Sequence, residues 1–174
     1  NELSALLPPN AVHQGVALLS APLESPHIED LCKRAENLNS ATVVVLDQAT
    51  DPHNVGAVMR SALAFGALAV VVQDRHAPDI TGTLAKSASG AVEKLDYIKV
   101  TNLSRALDDL KAAGFWCLGL DGNASEPLNS LDIPEKTALV LGAEGAGLRR
   151  LSRESCDLEA HIPMSGTMES LNLS

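Results

Sequence analysis

The sequence predicts an α/β protein with a mostly parallel sheet and helices on both faces, and three observations carry that reading. Short β-branched runs alternate along the chain with amphipathic helical stretches, the pattern that builds a parallel sheet through crossover helices. The runs at residues 42–46 and 68–73 are continuously apolar, as strands buried on both faces are. The chain has 174 residues, 45% of them hydrophobic and 20% charged, which suffices for one core without disulfide or metal staples.

The elements follow in order. Residues 1–25, with Pro8, Pro9 and Pro22, read as a linker running into an extended piece at residues 15–19. A helix is expected over residues 26–38, with Ser25 as N-cap and Pro26 at the first helical position. After the strand at 42–46, Val55, Val58, Met59, Ala62 and Leu63 trace one face of a helix that Gly66 ends. The strand at 68–73 precedes a helical stretch over about residues 82–95 and a short strand at 97–100. Leu103, Ala106, Leu107 and Leu110 mark the next amphipathic helix, ended by Gly114. Strands at 115–120 and 137–141 come next, then a glycine loop, a short helix near 148–154 and a last strand at 158–162.

Composition excludes several classes. Lys and Arg number 13 against 22 Asp and Glu, a net charge of −9, which argues against a domain that holds nucleic acid by bulk charge. Aromatic residues are only 2%, too few for a base-stacking surface. Cys32, Cys117 and Cys156 are widely and irregularly spaced, as reduced thiols of a cytoplasmic protein are, with Cys117 and Cys156 as small apolar core residues. His13, His27, His53, His76 and His161 are scattered without an i,i+4 pair, so no metal site is expected. The longest nearly apolar run, residues 62–72, is too short to span a bilayer, and no membrane partner is expected. The chain begins at Asn1 and ends at Ser174 without a closing element, and reads as part of a longer protein.

In a parallel sheet, ligands sit where loops leave the carboxyl ends of strands. Three such loops are chemically unusual. In residues 47–60, Asp51 caps a helix that Pro52 starts, and Asn54 and Gly56 fall in its first turn. Arg60 lies about 140° around the helical wheel from Val55 and so off the core face; a solvated arginine would look the same. In residues 142–150, Gly142, Gly145 and Gly147 are spaced G-x-x-G-x-G, which is neither the dinucleotide fingerprint nor a Walker loop. Glu144 in its middle disfavours a phosphate, so the ligand is neutral or cationic, unless the loop is a turn without ligand. In residues 163–174, preceded by Ile162, the apolar Met164 and Leu171 stand among Ser, Gly and Asn, a mix that suits a purine held between aliphatic side chains or a plain turn before a helix at Ser170.

In order and spacing, the three loops resemble motifs 1, 2 and 3 of the SpoU (TrmH) branch of the SPOUT RNA 2′-O-ribose methyltransferases. The segments at residues 10–18 and 85–93 resemble the bacterial 23S rRNA guanosine-2′-O-methyltransferase type within that family. The resemblance implies an α/β domain with a C-terminal trefoil knot, spanning residues 26–174 but lacking a final helix. It also makes residues 1–25 the connection from an N-terminal substrate-binding domain. S-adenosylmethionine is the implied methyl donor, without a metal, and the implied partners are RNA, with rRNA ahead of tRNA, and a second subunit paired through the knot. The motif positions fall on Asn54, Arg60, Glu144, Ser170 and Asn172 for catalysis. They fall on Leu141, Gly142, Gly145, Ile162, Met164 and Leu171 for cofactor binding. Arg60, Arg149 and Arg150 are the candidate RNA-binding residues.

The implied chemistry is removal of a ribose 2′-OH proton while that oxygen attacks a sulfonium methyl in line. A free hydroxyl is a weak nucleophile, so a base or a cation must assist it. Arginine stays protonated, which favours charge stabilisation at Arg60 over proton abstraction. The motifs do not encode the RNA, so a tRNA enzyme on the same fold stays open. So does a non-catalytic RNA-binding assembly factor, although retention of the full polar set speaks against decay of the site. A cationic donor and locally placed arginines reconcile the acidic balance with an RNA substrate.

Overall fold

A computed structural model describes residues 2–7, 13, 15–19, 21, 23–143, 145, 147–166 and 172–173. Six strands form one sheet: β1 (Ala41–Leu46), β2 (Ala69–Gln73), β3 (Asp96–Val100), β4 (Trp116–Leu120), β5 (Lys136–Leu141) and β6 (Leu158–Ala160). Their spatial order is β3-β2-β1-β5-β4-β6, and every neighbouring pair is parallel. The expected α/β class is therefore observed.

Alternation along each strand divides two cores. Val43 and Val45 of β1 join Val71, Ile98, Cys117, Ala138 and Val140 on one face. That face is covered by α2 (Ile28–Glu36) and α5 (Leu103–Ala112), through Ile28, Leu31, Ala35, Leu103, Ala106, Leu107 and Leu110. Val44 and Leu46 point the other way with Val70, Val72 and Tyr97. They meet α3 (Pro52–Ala64) and α4 (Gly82–Ala88), which bring Val55, Val58, Met59, Ala62, Leu84 and Ala88. Strands sandwiched by two helical layers need apolar residues at consecutive positions, and that is why the runs at β1 and β2 lack alternation.

Several boundaries differ from the sequence expectation. A short helix, α1 (Glu2–Leu6), stands inside the segment read as linker. Ser25 is not the cap of α2: His27 occupies the N-cap, and the Ser25 hydroxyl instead donates to the Tyr97 carbonyl at 3.0 Å. The helix expected to reach residue 95 stops at Ala88, because Ser89 and Gly90 both take left-handed backbone angles, φ 51° and 87°. Apolar residues beyond that break, Ala91, Val92 and Leu95, still enter the core, which is what extended the helical periodicity. After β5, α6 (Arg150–Glu154) is shorter than expected, and β6 ends at Ala160 rather than at residue 162.

Glycines set two close approaches. A Cβ on Gly56 would lie 2.6 Å from the Leu84 carbonyl oxygen and 2.7 Å from the Ser87 Cβ, so α3 and α4 touch backbone to backbone there. The contact is tied by the Ser87 hydroxyl, which donates to the His53 carbonyl at 2.8 Å. On β4, a Cβ at Gly119 would lie 2.8 Å from Leu148 Cδ1 and 3.0 Å from Cys156 Sγ. The core reading of the cysteines fits this packing. Burial, reinforced by Asp157, pushes the Cys117 thiol up to about 12, and burial, reinforced by Glu159, does the same to Cys156.

Two outcomes follow. Gly56→Ala destabilises the domain by about 1–3 kcal/mol, the usual range for overpacking, in urea unfolding, whereas Gly82→Ala, where nothing lies within 4 Å of the added methyl, is close to neutral. At pH 8 in native buffer, Cys117 and Cys156 resist alkylation by iodoacetamide and become labelled on denaturation, as read by mass spectrometry.

Candidate active site

The carboxyl ends of β1 and β5 form a switch point. Past β1 the chain turns into α3 on one face, and past β5 Leu148 joins the core of the opposite face. Adjacent strands whose connections diverge in this way leave a crevice between them. The loop after β1 starts at Asp47, whose N–H donates to the Leu141 carbonyl at 2.8 Å, one step beyond the last strand pair. Asp51 then caps α3 by accepting the His53 N–H at 3.1 Å, with Pro52 in the first turn, where its missing N–H costs nothing.

The glycine loop after β5 is closed by its own backbone. Ala143 and Gly147 exchange two hydrogen bonds, Ala143 N–H to Gly147 O at 3.1 Å and Gly147 N–H to Ala143 O at 2.9 Å. A Cβ on Gly142 would fall 2.1 Å from the Gly147 carbonyl carbon, so no side chain fits there. Gly147 is doubly constrained: its φ is +67°, and a Cβ would lie 2.9 Å from Asp121 Oδ2. Gly145 has φ +75° with open space where a Cβ would project.

Loops after β4 and β6 join this crossing. Asp121 follows β4 and is 5% exposed. Its carboxylate accepts the Asn123 N–H at 2.9 Å, the Asn123 side-chain amide at 3.1 Å and the Leu148 N–H at 3.4 Å, and it pairs with the Arg153 guanidinium. Burial pushes this carboxyl upward, but the Asn123 N–H, the Arg153 guanidinium and the Leu148 N–H together outweigh it and hold it below its usual range. The Asp121 N–H donates to the Ala160 carbonyl at 3.0 Å, which places the end of β6 alongside. His161 continues the contact, with its N–H on the Glu126 carbonyl at 2.9 Å and its Nδ1 at 2.9 Å from the Ala124 carbonyl.

A second buried acid organises the other side. Asp47, 1% exposed, accepts the Arg149 N–H at 3.0 Å and the Arg149 Nε–H at 2.6 Å. The Arg149 Nη2 also reaches the Gln73 side-chain oxygen at 2.7 Å. Arg149 thus turns inward, a partnership that its sequence reading as an RNA contact did not include. A cleft of about 550 Å³ lies beside it, lined among others by Gln73, Asn102, Ser104, Arg149 and Arg150.

The other candidate residues fall as follows. Asn54 is half-buried in the first turn of α3, and Arg60 is exposed on the same helix. Leu141 ends β5 and packs against the α3–α4 core together with Leu173. Ile162 and Met164 are exposed apolar residues just past β6. Arg150 is exposed and pairs with Glu154 at 2.7 Å, and Asn172 is exposed. Glu144, Ser170 and Leu171 lie outside the described residues, as does the stretch 167–171 on which the expected knot would depend. Among the described residues, no cluster of His, Cys, Asp or Glu is suited to hold a metal ion, and no helix is long and apolar enough to cross a membrane.

Sequence reasoning missed Asp47, Gln73, Asp121 and Arg153. A signal for the two acids was present: each is an aspartate directly after a buried strand, Leu46-Asp47 and Leu120-Asp121. A charge at that position is hidden by the loops that fold over it and so must have a partner.

This fold and loop arrangement define a class: parallel α/β domains whose site is assembled from the loops after β1, β4, β5 and β6. Residues 41–174 match the model of the SpoU rRNA Methylase family, and the chain belongs to that family. It is 42% identical over 163 residues to the TrmH family protein YacO of Bacillus subtilis, covering 93% of this chain and 66% of the relative. Among solved structures it resembles the SpoU methyltransferase AviRb of Streptomyces viridochromogenes in complex with AdoMet. That likeness has a TM-score of 0.72 at 29% identity and covers 81% of this chain and 55% of that one. An RNA 2′-O ribose methyltransferase structure superposes with a TM-score of 0.69 at 27% identity, over 78% of this chain and 52% of that one. The chain therefore spans just under two thirds of the YacO length and about half of these two structures.

The Asp121 network makes a pH prediction. A carboxyl held below its unfolded value stabilises the fold fully above that value, about 3.9, and the contribution is lost as pH falls through the lower folded value. The stability difference between the wild type and Asp121→Asn is therefore constant near neutrality and shrinks below about pH 4 in denaturant titrations.

Proposed function

We propose that the protein transfers a methyl group from S-adenosylmethionine to a ribose 2′-OH in RNA, in a guanosine of 23S rRNA. The observation that carries this reading is the convergence of the motif-1 and motif-2 loops at one switch point, in a chain that matches the SpoU family over residues 41–174. Support comes also from the relatives. AviRb was solved with AdoMet, the second structural relative is an RNA 2′-O ribose methyltransferase, and the Bacillus relative is named for tRNA and rRNA methylation.

The residues present suit such a donor. Ile162 and Met164 keep 42% and 38% of their surface uncovered beside the strand ends, an apolar rim for a purine. Gly122 and Gly145 leave open space where side chains would project. Leu141, Gly142, Gly145, Ile162, Met164 and Leu171 would hold the donor. When bound, S-adenosylmethionine supplies a sulfonium methyl and leaves as a neutral thioether, so the transfer requires no Lewis acid.

The reaction forms an O–C bond at the 2′-oxygen, breaks the S–C bond and releases the hydroxyl proton to water. Arg60, permanently protonated, stabilises the negative charge that develops on that oxygen and holds the neighbouring phosphate. Asn54, Glu144, Ser170 and Asn172 complete the catalytic set. Arg60 and Arg150 supply local positive charge to RNA on a chain whose net charge is −9, while the third candidate, Arg149, is committed to Asp47 and Gln73. A C-terminal knot, a homodimer paired through it and a cytoplasmic location belong to the same reading. The alternative substrate is tRNA, since the curated relative's name covers both RNAs.

In the full-length protein, Arg60→Ala lowers methyl transfer to RNA by about 100-fold, the scale of losing one charge stabiliser. Wild-type activity in that variant overturns the assignment. Ribosomal and transfer RNA from a strain lacking the gene, offered side by side with labelled donor, distinguish the two substrates by which one accepts methyl groups.

A further inference from the structure

Four strand ends are strung together by one chain of hydrogen bonds. The Arg149 N–H and Nε–H reach Asp47 at the end of β1, at 3.0 and 2.6 Å. The Arg149 Nη2 reaches Gln73, the last residue of β2, at 2.7 Å. The Gln73 amide in turn donates to the carbonyl of Thr101, just past β3, at 3.4 Å. Arg149 itself ends the loop that leaves β5. The network therefore joins motif 1, which carries Asn54 and Arg60, to motif 2, which carries Gly142, Glu144 and Gly145.

We infer that Asp47 is the positioning residue of this site, acting through Arg149 to set the glycine loop against the motif-1 loop. The side chain of Asp47 is fully buried, and a buried carboxylate is strongly disfavoured unless paired and hydrogen-bonded. A loop with glycines at 142, 145 and 147 has many backbone states open to it. Of these, only those that deliver the Arg149 N–H and guanidinium to Asp47 satisfy the acid. Burial of one charge thus selects one loop conformation before any ligand arrives. The Asp47 side chain lies outside both apolar cores, and the bond from its backbone N–H to the Leu141 carbonyl does not involve the carboxylate, so sheet pairing does not need the charge. Asp47 makes no contact with substrate in this role and is not a catalytic residue. Gln73 is subordinate: it holds only the outer end of the fork.

The inference rests on the methyltransferase reading for its kinetic arm, but not for its structural one. In the full-length protein, Asp47→Asn keeps the shape and loses the charge-assisted bond, and Arg149→Lys keeps a charge but loses the fork. In both, amide hydrogen exchange at Ala143, Gly145, Gly147 and Leu148 speeds up by about tenfold or more, the effect of one lost charge-assisted hydrogen bond, while β2 and β4 amides keep their protection. Calorimetric affinity for S-adenosylmethionine falls by a similar factor, kcat falls and KM for RNA stays within about twofold. Gln73→Ala leaves loop exchange near wild type. Unchanged exchange in the loop of a folded Asp47→Asn or Arg149→Lys overturns the inference. So does a raised KM for RNA with donor affinity intact, which would make Arg149 an RNA contact instead. If Asp47→Asn does not fold, the inference is overturned for Asp47, and Arg149→Lys alone then tests the clamp. A wild-type protein that methylates no RNA defeats the methyltransferase reading and leaves the exchange result to judge Asp47.

Discussion

Two buried carboxylates organise the carboxyl edge of the sheet. Asp47 and Asp121 stand directly after β1 and β4, on either side of β5, and each is met by an arginine from the segment that follows the glycine loop, Arg149 and Arg153. The carboxylates are buried while the Arg149 and Arg153 side chains stay 36% and 41% exposed, so losing an arginine strands a buried acid, although solvent at the guanidinium ends lowers the cost below that of a fully buried pair. The pairs are therefore less a source of net stability than a source of uniqueness. They penalise every path for residues 142–153 except one that brings both arginines home.

That constraint explains where glycine appears. A chain pulled down onto the strand ends from both sides must cross closely, and at Gly142 the backbone of Gly147 occupies the place of a side chain. Gly147 is in turn pressed against Asp121. Beneath the loop, Gly119 makes room for Leu148 and Cys156, so the α6 segment seats on β4. Of the three glycines in the loop after β5, Gly142 and Gly147 are taken up by close packing, against the Gly147 backbone and the Asp121 carboxylate, and Gly145 alone has open space where a Cβ would project. A ligand site and a tightly packed crossing are compatible, since rigidity under the ligand lowers the cost of ordering it.

The charge balance takes its meaning from the same arrangement. The chain carries an excess of acids, yet the two most buried among the described residues, Asp47 and Asp121, are matched by arginines at the site. Of the other acids, Asp96 pairs with Arg34, and Asp79 and Asp74 pair with Lys99. Net charge describes solubility and long-range steering, not the potential inside one crevice. A uniformly basic RNA-binding surface is excluded, while a locally built one around Arg60 and Arg150 is not.

Period and residue type in the sequence alone determined the parallel α/β class, the two-layer burial of β1 and β2, the capped start of α3 at Asp51 and Pro52, and the three loops that mark the family. These are local properties, carried by neighbours within a turn or a strand. The early stop of α4 was not legible, because apolar residues 91, 92 and 95 keep the helical rhythm after Ser89 and Gly90 have left the helix. Ser25 was misread for a similar reason: its hydroxyl has a partner 72 residues away, on Tyr97, that outcompetes a local cap. Asp47, Gln73 and Arg149 come together only because the strand order places β5 beside β1 and β1 beside β2. The energy of a buried charge depends on partners that the chain delivers from 102 residues away, and only the tertiary structure decides which those are.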